Sequence, residues 1–380
     1  MTLVWWGLGS NKAHFTRRPI LEELMENYPT TTKELLTRLA GTEGGSDLIL
    51  TVGQPPLIKV YGEVLPVENY PALAAENTEQ LCLSILADEQ VKRFHEEKEL
   101  DLSLHLDGIA RFRVNIFLQR GTVAMVARIV MDKVPGFKDL GLPQVVQELA
   151  KLRKGMVLFT GPTGHGKSTS VASMVDYINR NRACHIISIE DPIEYLHTHA
   201  MATVEQREVG LDTETFYSAL RRILRQAPDV IIIGEIRDRE SAQAAMTLAE
   251  TGHLILTTLH TSGAIASVNR LIDMFPAEQE RQIRSQLSVS LAAVIWQQLI
   301  PARDKNGLVL ACEVMVAIPA VRSLIRQGRL HEICSLLQTG RKHGMFTMDQ
   351  AIQDLVHRDM VDREWFQNNY FDVGAGRKTG

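Results

Sequence analysis

The sequence predicts an α/β protein, with a doubly wound core from about residue 143 and a small α+β domain before it. After residue 143, short runs of consecutive apolar residues alternate with helical segments, which is typical of parallel strands buried on both faces. Before that point, runs of alternating apolar and polar residues flank an Asp-Gly pair, which indicates an antiparallel hairpin. A glycine-rich segment also joins the first apolar run of the core to its first helix, an arrangement typical of phosphate-binding loops.

The composition is that of a globular protein, and it disfavours several functional classes. Of 380 residues, 45% are hydrophobic and 23% are charged, and the net charge is −4. This charge and the aromatic content of 6% do not favour binding to nucleic acid. No apolar run reaches the roughly 20 residues of a membrane helix, and the four cysteines form no CxxC pair of a zinc ribbon. We therefore expect a cytoplasmic protein that does not bind nucleic acid.

The small first domain is predicted over residues 31–130, after an N-terminal extension of residues 1–30. We expect a helix at 31–40, strands at 46–52 and 57–61, a helical stretch at 76–96, and strands at 100–106, 110–118 and 123–130. The Asp107-Gly108 pair would form the turn of a hairpin. Pro135, Gly136 and Gly141 then indicate a linker over residues 131–142.

The core domain is predicted over residues 143–368, before a frayed tail of residues 369–380. Its strands would lie at 156–160, 185–189, 230–233 and 254–258, with helices at about 167–180, 213–226 and 239–251. Beyond about residue 264 the pattern predicts a mostly helical chain, through residue 298 and again from 318 to 368.

The glycine-rich segment carries the strongest functional signal. It matches Gly-x-x-x-x-Gly-Lys-Ser/Thr, and its residues are Gly161, Pro162, Thr163, Gly164, His165, Gly166, Lys167, Ser168 and Thr169. In such a loop, backbone N–H groups at the start of a helix cradle phosphates, the lysine adds positive charge, and the serine hydroxyl can ligate Mg²⁺. We therefore predict a site for ATP and Mg²⁺; a purely structural turn is the alternative. His165 is unusual here, and we expect it to be exposed and without a role of its own.

Three further candidates end predicted strands of the core. Glu235 could hold Mg²⁺ or orient water, or it could merely cap the next helix. Glu190 lies where ligands bind an open sheet, so it is a candidate general base or metal ligand, unless the acidic loop is only solvated. Which carboxylate is the base stays open. His260 is a candidate sensor of the γ-phosphate, and His253, at the other end of the same strand, would support it.

Taken together, these segments resemble the secretion-type ATPases, and specifically the PilT/PilU-type retraction ATPases of type IV pili. Four family boxes are matched: residues 161–169, Ile189-Glu-Asp-Pro-Ile-Glu194, Gly234-Glu-Ile-Arg-Asp238 and Leu259-His-Thr261. Residues 206–210 and 225–229 also look like family segments. Residues 320–326 resemble the retraction-associated motif, from which Val321 and Ser323 depart. The resemblance runs from about residue 45 to residue 348.

The resemblance implies a RecA-like P-loop ATPase core, a PAS-like N-terminal domain and a ring-shaped homohexamer. In such rings the N-terminal domain donates arginines to the nucleotide, and Arg113 and Arg128 are the candidates, with Arg111 and Arg120 nearby; a solvated strand face is the alternative. The resemblance also implies a motor that retracts pili by acting on an inner-membrane platform protein. Membrane association would run through that partner, and a related retraction ATPase would be a further partner.

Several other functions are compatible with parts of this sequence. Pilus-extension and type II secretion ATPases resemble the same core, but they usually carry a four-cysteine zinc motif and a long N-terminal region, which are not found here. An accessory PilU-like paralogue agrees with the departures at Val321 and Ser323. A nucleic-acid translocase is disfavoured by the charge, and a catalytically silent ring subunit by the intact Lys167 and Glu235.

Overall fold

The computed structural model describes residues 30–130, 133–304 and 307–370, and the chain divides into two compact units, Met1–Met131 and Asp132–Gly380. The extension predicted for residues 1–30 lies outside the described residues, except for residue 30. The tail predicted from residue 369 also lies outside them, except for residues 369–370, which end a helix. No helix in the described ranges is both long enough and apolar enough to span a bilayer.

The first unit contains a six-stranded antiparallel sheet with the order β3-β2-β1-β6-β5-β4 among its described residues. Its strands are β1 (Gly45–Leu50), β2 (Leu57–Val60), β3 (Glu63–Pro66), β4 (Glu99–Leu106), β5 (Ala110–Gln119) and β6 (Thr122–Val130), and its helices are α1 (Thr32–Ala40), α2 (Ala75–Leu83) and α3 (Asp88–Glu97). The predicted α+β domain and the Asp107-Gly108 hairpin are confirmed. The helical stretch predicted at 76–96 is two helices, not one.

An apolar core packs the described helices and strands of the first unit together. Leucines at three positions of α1 (Leu35, Leu36 and Leu39) are fully buried, and they pack in one cluster with Leu48 of β1 and Phe112 of β5. The Thr31 side chain begins α1 as part of a capping box with Glu34, which satisfies two N–H groups that the helix leaves free.

The second unit contains a seven-stranded sheet with the order β13-β12-β7-β11-β10-β8-β9 in the described ranges. Its strands are β7 (Gly155–Thr160), β8 (His185–Glu190), β9 (Thr203–Glu208), β10 (Val230–Ile233), β11 (Leu254–Leu259), β12 (Leu291–Pro301) and β13 (Leu308–Val316). All neighbouring pairs are parallel except β12 and β13.

Helices surround this sheet. They are α4 (Phe137–Leu140), α5 (Gln144–Ala150), α6 (Lys167–Asn181), α7 (Phe216–Ile223), α8 (Arg239–Glu250), α9 (Ala264–Asp273), α10 (Glu280–Ser290), α11 (Pro319–Gln327), α12 (Ile333–Thr339), α13 (Met348–His357) and α14 (Arg363–Tyr370). Short 3-10 turns lie at Leu224–Gln226, Ala277–Gln279, Leu330–Glu332 and Arg341–His343. The α/β core and the helices from residue 319 onward are confirmed.

The continuous apolar strands are explained by burial on both faces of the sheet. Every residue of β7, β10 and β11 is buried, and the two faces contribute to separate hydrophobic clusters. Because these strands are parallel, their carboxyl ends meet at one edge of the sheet, where the loops that follow them converge.

The prediction that the chain stays mostly helical from 264 through 298 is wrong for its last eight residues, 291–298. Helix α10 ends at Ser290, and the chain passes directly into β12. The run Leu-Ala-Ala-Val-Ile-Trp is apolar on both faces, so its periodicity does not distinguish a buried helix from a buried strand. Pairing with β7 on one side and β13 on the other makes it a strand.

Part of the predicted linker belongs to the second unit. Phe137, Leu140 and Leu142 pack against the same cluster as helix α6, and the ring centroids of Phe137 and Tyr177 are 5.3 Å apart. The apolar side chains among the glycines and proline of this segment anchor it to the core.

Candidate nucleotide site

Four segments converge at the carboxyl edge of the seven-stranded sheet: the glycine-rich loop of residues 161–166 and the ends of β8, β10 and β11. Glu190 is the last residue of β8, Glu235 is the second residue after β10, and His260 comes directly after β11. The structure thus places Lys167, Glu190, Glu235 and His260 at one edge of the sheet in the second unit, whereas His253 lies at the other end of β11 and the candidate arginines lie in the first unit.

The ammonium group of Lys167 lies inside the glycine-rich loop. Its Nζ donates to the carbonyl oxygens of Gly161 at 2.9 Å and Pro162 at 2.8 Å, and the side chain is buried, with 7% exposed. Burial lowers the pKa of Lys167, while the carboxylates of Glu235 and Glu194 act in the opposite direction. A cation is therefore held where a loop of this type would receive phosphate oxygens.

His260 connects the loop to the strand-end carboxylate. Its Nδ1 is 3.3 Å from Lys167 Nζ and 3.4 Å from Thr163 Oγ1, and its Nε2 is 3.4 Å from Glu235 Oε1. By contrast, His253 lies at the opposite end of β11, where its Nδ1 is 3.0 Å from the Leu248 carbonyl oxygen. The prediction that His253 supports the site is therefore wrong, because the two ends of a parallel strand lie at opposite edges of the sheet.

Glu235 is held by an arginine that the sequence analysis did not single out. Arg237 Nε donates to Glu235 Oε2 at 2.9 Å, and its guanidinium also lies 3.4 Å from Asp191 Oδ2. The alternative that Glu235 caps the next helix is excluded, since α8 is capped by Asp238, which accepts from the Ser241 N–H. The carboxylate is thus free of a capping role and faces the loop.

Glu190 is positioned by Gln206 of β9. Gln206 Nε2 donates to Glu190 Oε1 at 3.2 Å and to the Tyr195 carbonyl oxygen at 2.8 Å, while its Oε1 accepts from the His197 N–H at 2.9 Å. Burial raises the pKa of Glu190, and the hydrogen bond from Gln206 opposes that shift. A carboxylate with a raised pKa beside a phosphate-binding loop suits proton transfer.

The two residues that follow Lys167 lie in the first turn of helix α6. Ser168 and Thr169 are both half-buried, and Thr169 Oγ1 is 3.0 Å from the Tyr195 hydroxyl, which ties the loop after β8 to the first turn of α6. A serine hydroxyl and one carboxylate make the small protein donor set that Mg²⁺ takes when phosphates and waters complete its coordination. By the chemistry of their donor atoms, Ser168 and Glu235 are the candidates that could hold a magnesium ion.

His165 is not the purely exposed residue that the sequence predicts. It is half-buried, and its Nδ1 accepts a hydrogen bond from the Leu299 N–H of β12 at 2.9 Å. The residues missed by sequence reasoning (Gln206, Tyr195, Arg237 and the β12 contacts of His165) act on other side chains or on the backbone. Gln206 and Arg237 lie within segments that resemble the family, and this resemblance could have identified them as candidates.

Arg113 and Arg128 lie in the first unit, directly opposite each other on β5 and β6. Both are exposed. Arg128 also forms an ion pair with Asp47 of β1, at 2.7 Å between Nε and Oδ1. Like charges placed directly opposite are unfavourable in a sheet, and Asp47 offsets that cost.

Comparison with known proteins agrees with this geometry. Residues 87–377 match the family described as "Type II/IV secretion system protein". Over 331 residues the chain is 46% identical to the type IV pilus ATPase PilU of Pseudomonas aeruginosa, covering 87% of this chain and 86% of that protein. Over 329 residues it is 43% identical to the retraction ATPase PilT of the same organism, covering 87% and 95%. The crystal structure of the pilus retraction motor PilT with bound ADP superposes with a TM-score of 0.80 at 42% identity, covering 91% of this chain and 95% of that one.

Proposed function

The chain belongs to the type II/IV secretion system protein family, and from that premise we propose that it is an ATP-hydrolysing motor that powers the retraction of type IV pili. The observation that carries this function is the position of His260 at the glycine-rich loop, where its Nδ1 is 3.3 Å from Lys167 Nζ and its Nε2 is 3.4 Å from Glu235 Oε1. The loop provides a phosphate cradle, and the strand-end groups provide the charges that phosphoryl transfer requires.

Nucleotide binding is assigned to the loop of residues 161–166 and to the first turn of α6. The backbone N–H groups of the loop and the amino end of α6 would hold the phosphates, and Lys167 would neutralise their charge. Ser168 and Glu235 would hold Mg²⁺, which when bound offsets charge on the phosphate oxygens. His260 contacts Lys167, Thr163 and Glu235, so it would respond to whether the γ-phosphate is present.

We further propose that the active form is a homohexamer in which Arg113 and Arg128 act on the nucleotide of a neighbouring copy. These arginines lie on β5 and β6 of the first unit, and arginine is suited to charge that develops on a phosphoryl group. An inner-membrane platform protein would receive the motion, at the cytoplasmic face of the pilus machine. The PAS-like character of the first unit belongs to the same proposal.

An accessory PilU-like role is the second candidate function. It rests on the similar identities to PilU, 46%, and to PilT, 43%, which do not separate the two roles. It also rests on Val321 and Ser323 of α11, which depart from the retraction-associated motif. In that role the protein would work with a related retraction ATPase instead of driving retraction alone.

The experiment that tests the function is complementation of a deletion strain with the wild-type chain or with Lys167→Ala. We expect excess, non-retracting pili and lost twitching in the deletion strain, with rescue by the wild type alone. Purified Lys167→Ala should lose ATP turnover by on the order of 100-fold or more. Absent pili would instead mean an extension motor, and unchanged pili would mean the accessory role.

A further inference from the structure

Strand β12 continues past the end of its neighbour β7. The parallel ladder between them ends where Trp296 faces Thr160, whereas β12 continues to Pro301, paired with β13 on its other side. Beyond Trp296, β7 no longer pairs with this side of β12. The backbone groups on this side of Gln297 and Leu299 therefore face the glycine-rich loop.

The glycine-rich loop supplies contacts in place of that missing strand. The Leu299 N–H donates to His165 Nδ1 at 2.9 Å. The Gln297 side-chain amide donates to Ser170 Oγ of α6 at 2.8 Å. Gly161 lies so close to the Gln297 carbonyl oxygen that a Cβ at this position would clash with it, and its φ of +142° is one that glycine tolerates. The loop thus approaches β12 closely at Gly161 and is hydrogen-bonded to it at His165.

We propose that His165 is a positioning residue of the nucleotide site. Its Nδ1 is the acceptor that replaces a carbonyl of the missing strand, and through this side chain it fixes the second half of the loop against β12. This inference rests on the proposed function, because it assigns to the loop the binding of ATP phosphates. Without the acceptor, the loop would lose part of its preorganisation for the phosphates, and the Leu299 N–H would lose its partner.

The side chain at 165 must offer an acceptor at the Nδ1 position. Asparagine places its Oδ1 close to that position, so His165→Asn keeps the hydrogen bond. Leucine has a similar bulk and no acceptor, so His165→Leu removes it. His331 is 81% exposed, and His331→Leu repeats the same chemical change where no such contact exists; it is the matched control.

The first measurement is amide hydrogen exchange of residues 297–301 in the nucleotide-free, full-length protein. We expect faster exchange at Leu299 in His165→Leu, and exchange close to the wild-type rate in His165→Asn and His331→Leu. Unchanged exchange in His165→Leu would overturn the inference. Because no nucleotide is present, this result does not depend on whether the protein hydrolyses ATP.

The second measurement is the affinity for a fluorescent ATP analogue together with ATP turnover. For His165→Leu we expect the dissociation constant and KM to rise roughly three- to tenfold, the range of one net hydrogen bond, with a smaller change in kcat. His165→Asn should recover most of the affinity. An asparagine variant as weak as the leucine variant would overturn the inference, whereas a wild-type protein that binds no nucleotide would overturn the proposed function instead.

Discussion

Glu190 and Glu235 have different partners, although both lie at the same edge of the sheet. Glu235 contacts the cationic Arg237 and lies 3.4 Å from His260. Glu190 is hydrogen-bonded by the neutral amide of Gln206, and burial raises its pKa. A raised pKa suits a general base, so we propose Glu190 for that role and Glu235 for holding Mg²⁺.

We therefore predict that Glu190→Gln and Glu235→Gln lose activity in different ways. Glu190→Gln should keep the affinity for Mg-ATP and lose turnover by about 10²- to 10⁴-fold, because only proton transfer is removed. Glu235→Gln should also weaken the magnesium dependence of binding. Calorimetric titration with and without Mg²⁺, beside a turnover assay, distinguishes them. The reverse pattern would exchange the two roles, and equal loss of binding in both variants would contradict the assignment.

The environment of Glu190 should also be visible in protein stability. Its pKa is raised in the folded state by burial, so folding favours the protonated carboxyl. The contribution of this carboxyl to the free energy of unfolding is therefore fully present below the unfolded-state pKa of about 4.3. It is lost as the pH rises through the folded-state pKa. We predict that Glu190→Gln melts at a higher temperature than the wild type at neutral pH, and that this advantage disappears near pH 4. Melting curves of the nucleotide-free protein check this, and an advantage that does not change with pH would argue against it.

At the scale of elements, one carboxylate of β13 joins two helices. Glu313 Oε1 accepts from the Ala264 N–H at the start of α9 at 2.8 Å, and its Oε2 accepts from the Met348 N–H at the start of α13 at 3.4 Å. Negative charge is favourable at helix amino termini. Burial nevertheless raises the pKa of Glu313, and these two backbone hydrogen bonds oppose the shift. Because α9 begins four residues after His260, Glu313 also anchors the chain that leaves the site.

We predict that Glu313→Ala lowers the free energy of unfolding by about 1–2 kcal/mol, the range of a lost helix cap. Glu313→Gln should cost less, since one oxygen still accepts a hydrogen bond. Urea denaturation measures both. Glu332→Ala, which removes a carboxylate that pairs with Arg329 on the surface, is the control and should change stability by less than about 1 kcal/mol. Equal effects at positions 313 and 332 would contradict the capping role.

At the scale of the whole molecule, the proposed arginines and the proposed nucleotide loop belong to different compact units. If the arginines act on a neighbouring copy, two defects in different chains can complement each other. We predict that Lys167→Ala and the double variant Arg113→Ala/Arg128→Ala are each inactive, and that mixing them restores part of the ATP turnover. In the mixture, intact arginines of the first variant serve intact loops of the second.

The control for this experiment mixes Lys167→Ala with Glu235→Gln. Both residues belong to the proposed nucleotide site of the same unit. Each chain in this mixture therefore carries a defective nucleotide site, and no recovery is expected. Recovery in the control would mean that mixing restores turnover by a route other than arginines acting on a neighbouring chain. No recovery in the first mixture would mean that the arginines act on the nucleotide of their own chain, or that they take no part in hydrolysis.

Patterns that are local in the chain predicted most of the fold. The glycine-rich motif, the strand-end acids and the Asp-Gly turn depend on residues close in sequence, so they could be recognised without a structure. The strand β12 could not, because alanines and glutamines that suit a helix are placed here between two strands. In this segment tertiary pairing overrides local propensity.

By itself, the sequence determined the α/β core, the position of the phosphate-binding loop and the residues Lys167, Glu190, Glu235 and His260 as one candidate site. Only the tertiary structure decided which backbone and side-chain groups hold that site in place. Leu299 and His165 are 134 residues apart in the chain, and Gln206 reaches Glu190 across 16 residues from a neighbouring strand. Such hydrogen bonds depend on which strands become neighbours, because each needs a donor and an acceptor within about 3 Å, and no periodicity along the chain encodes that distance.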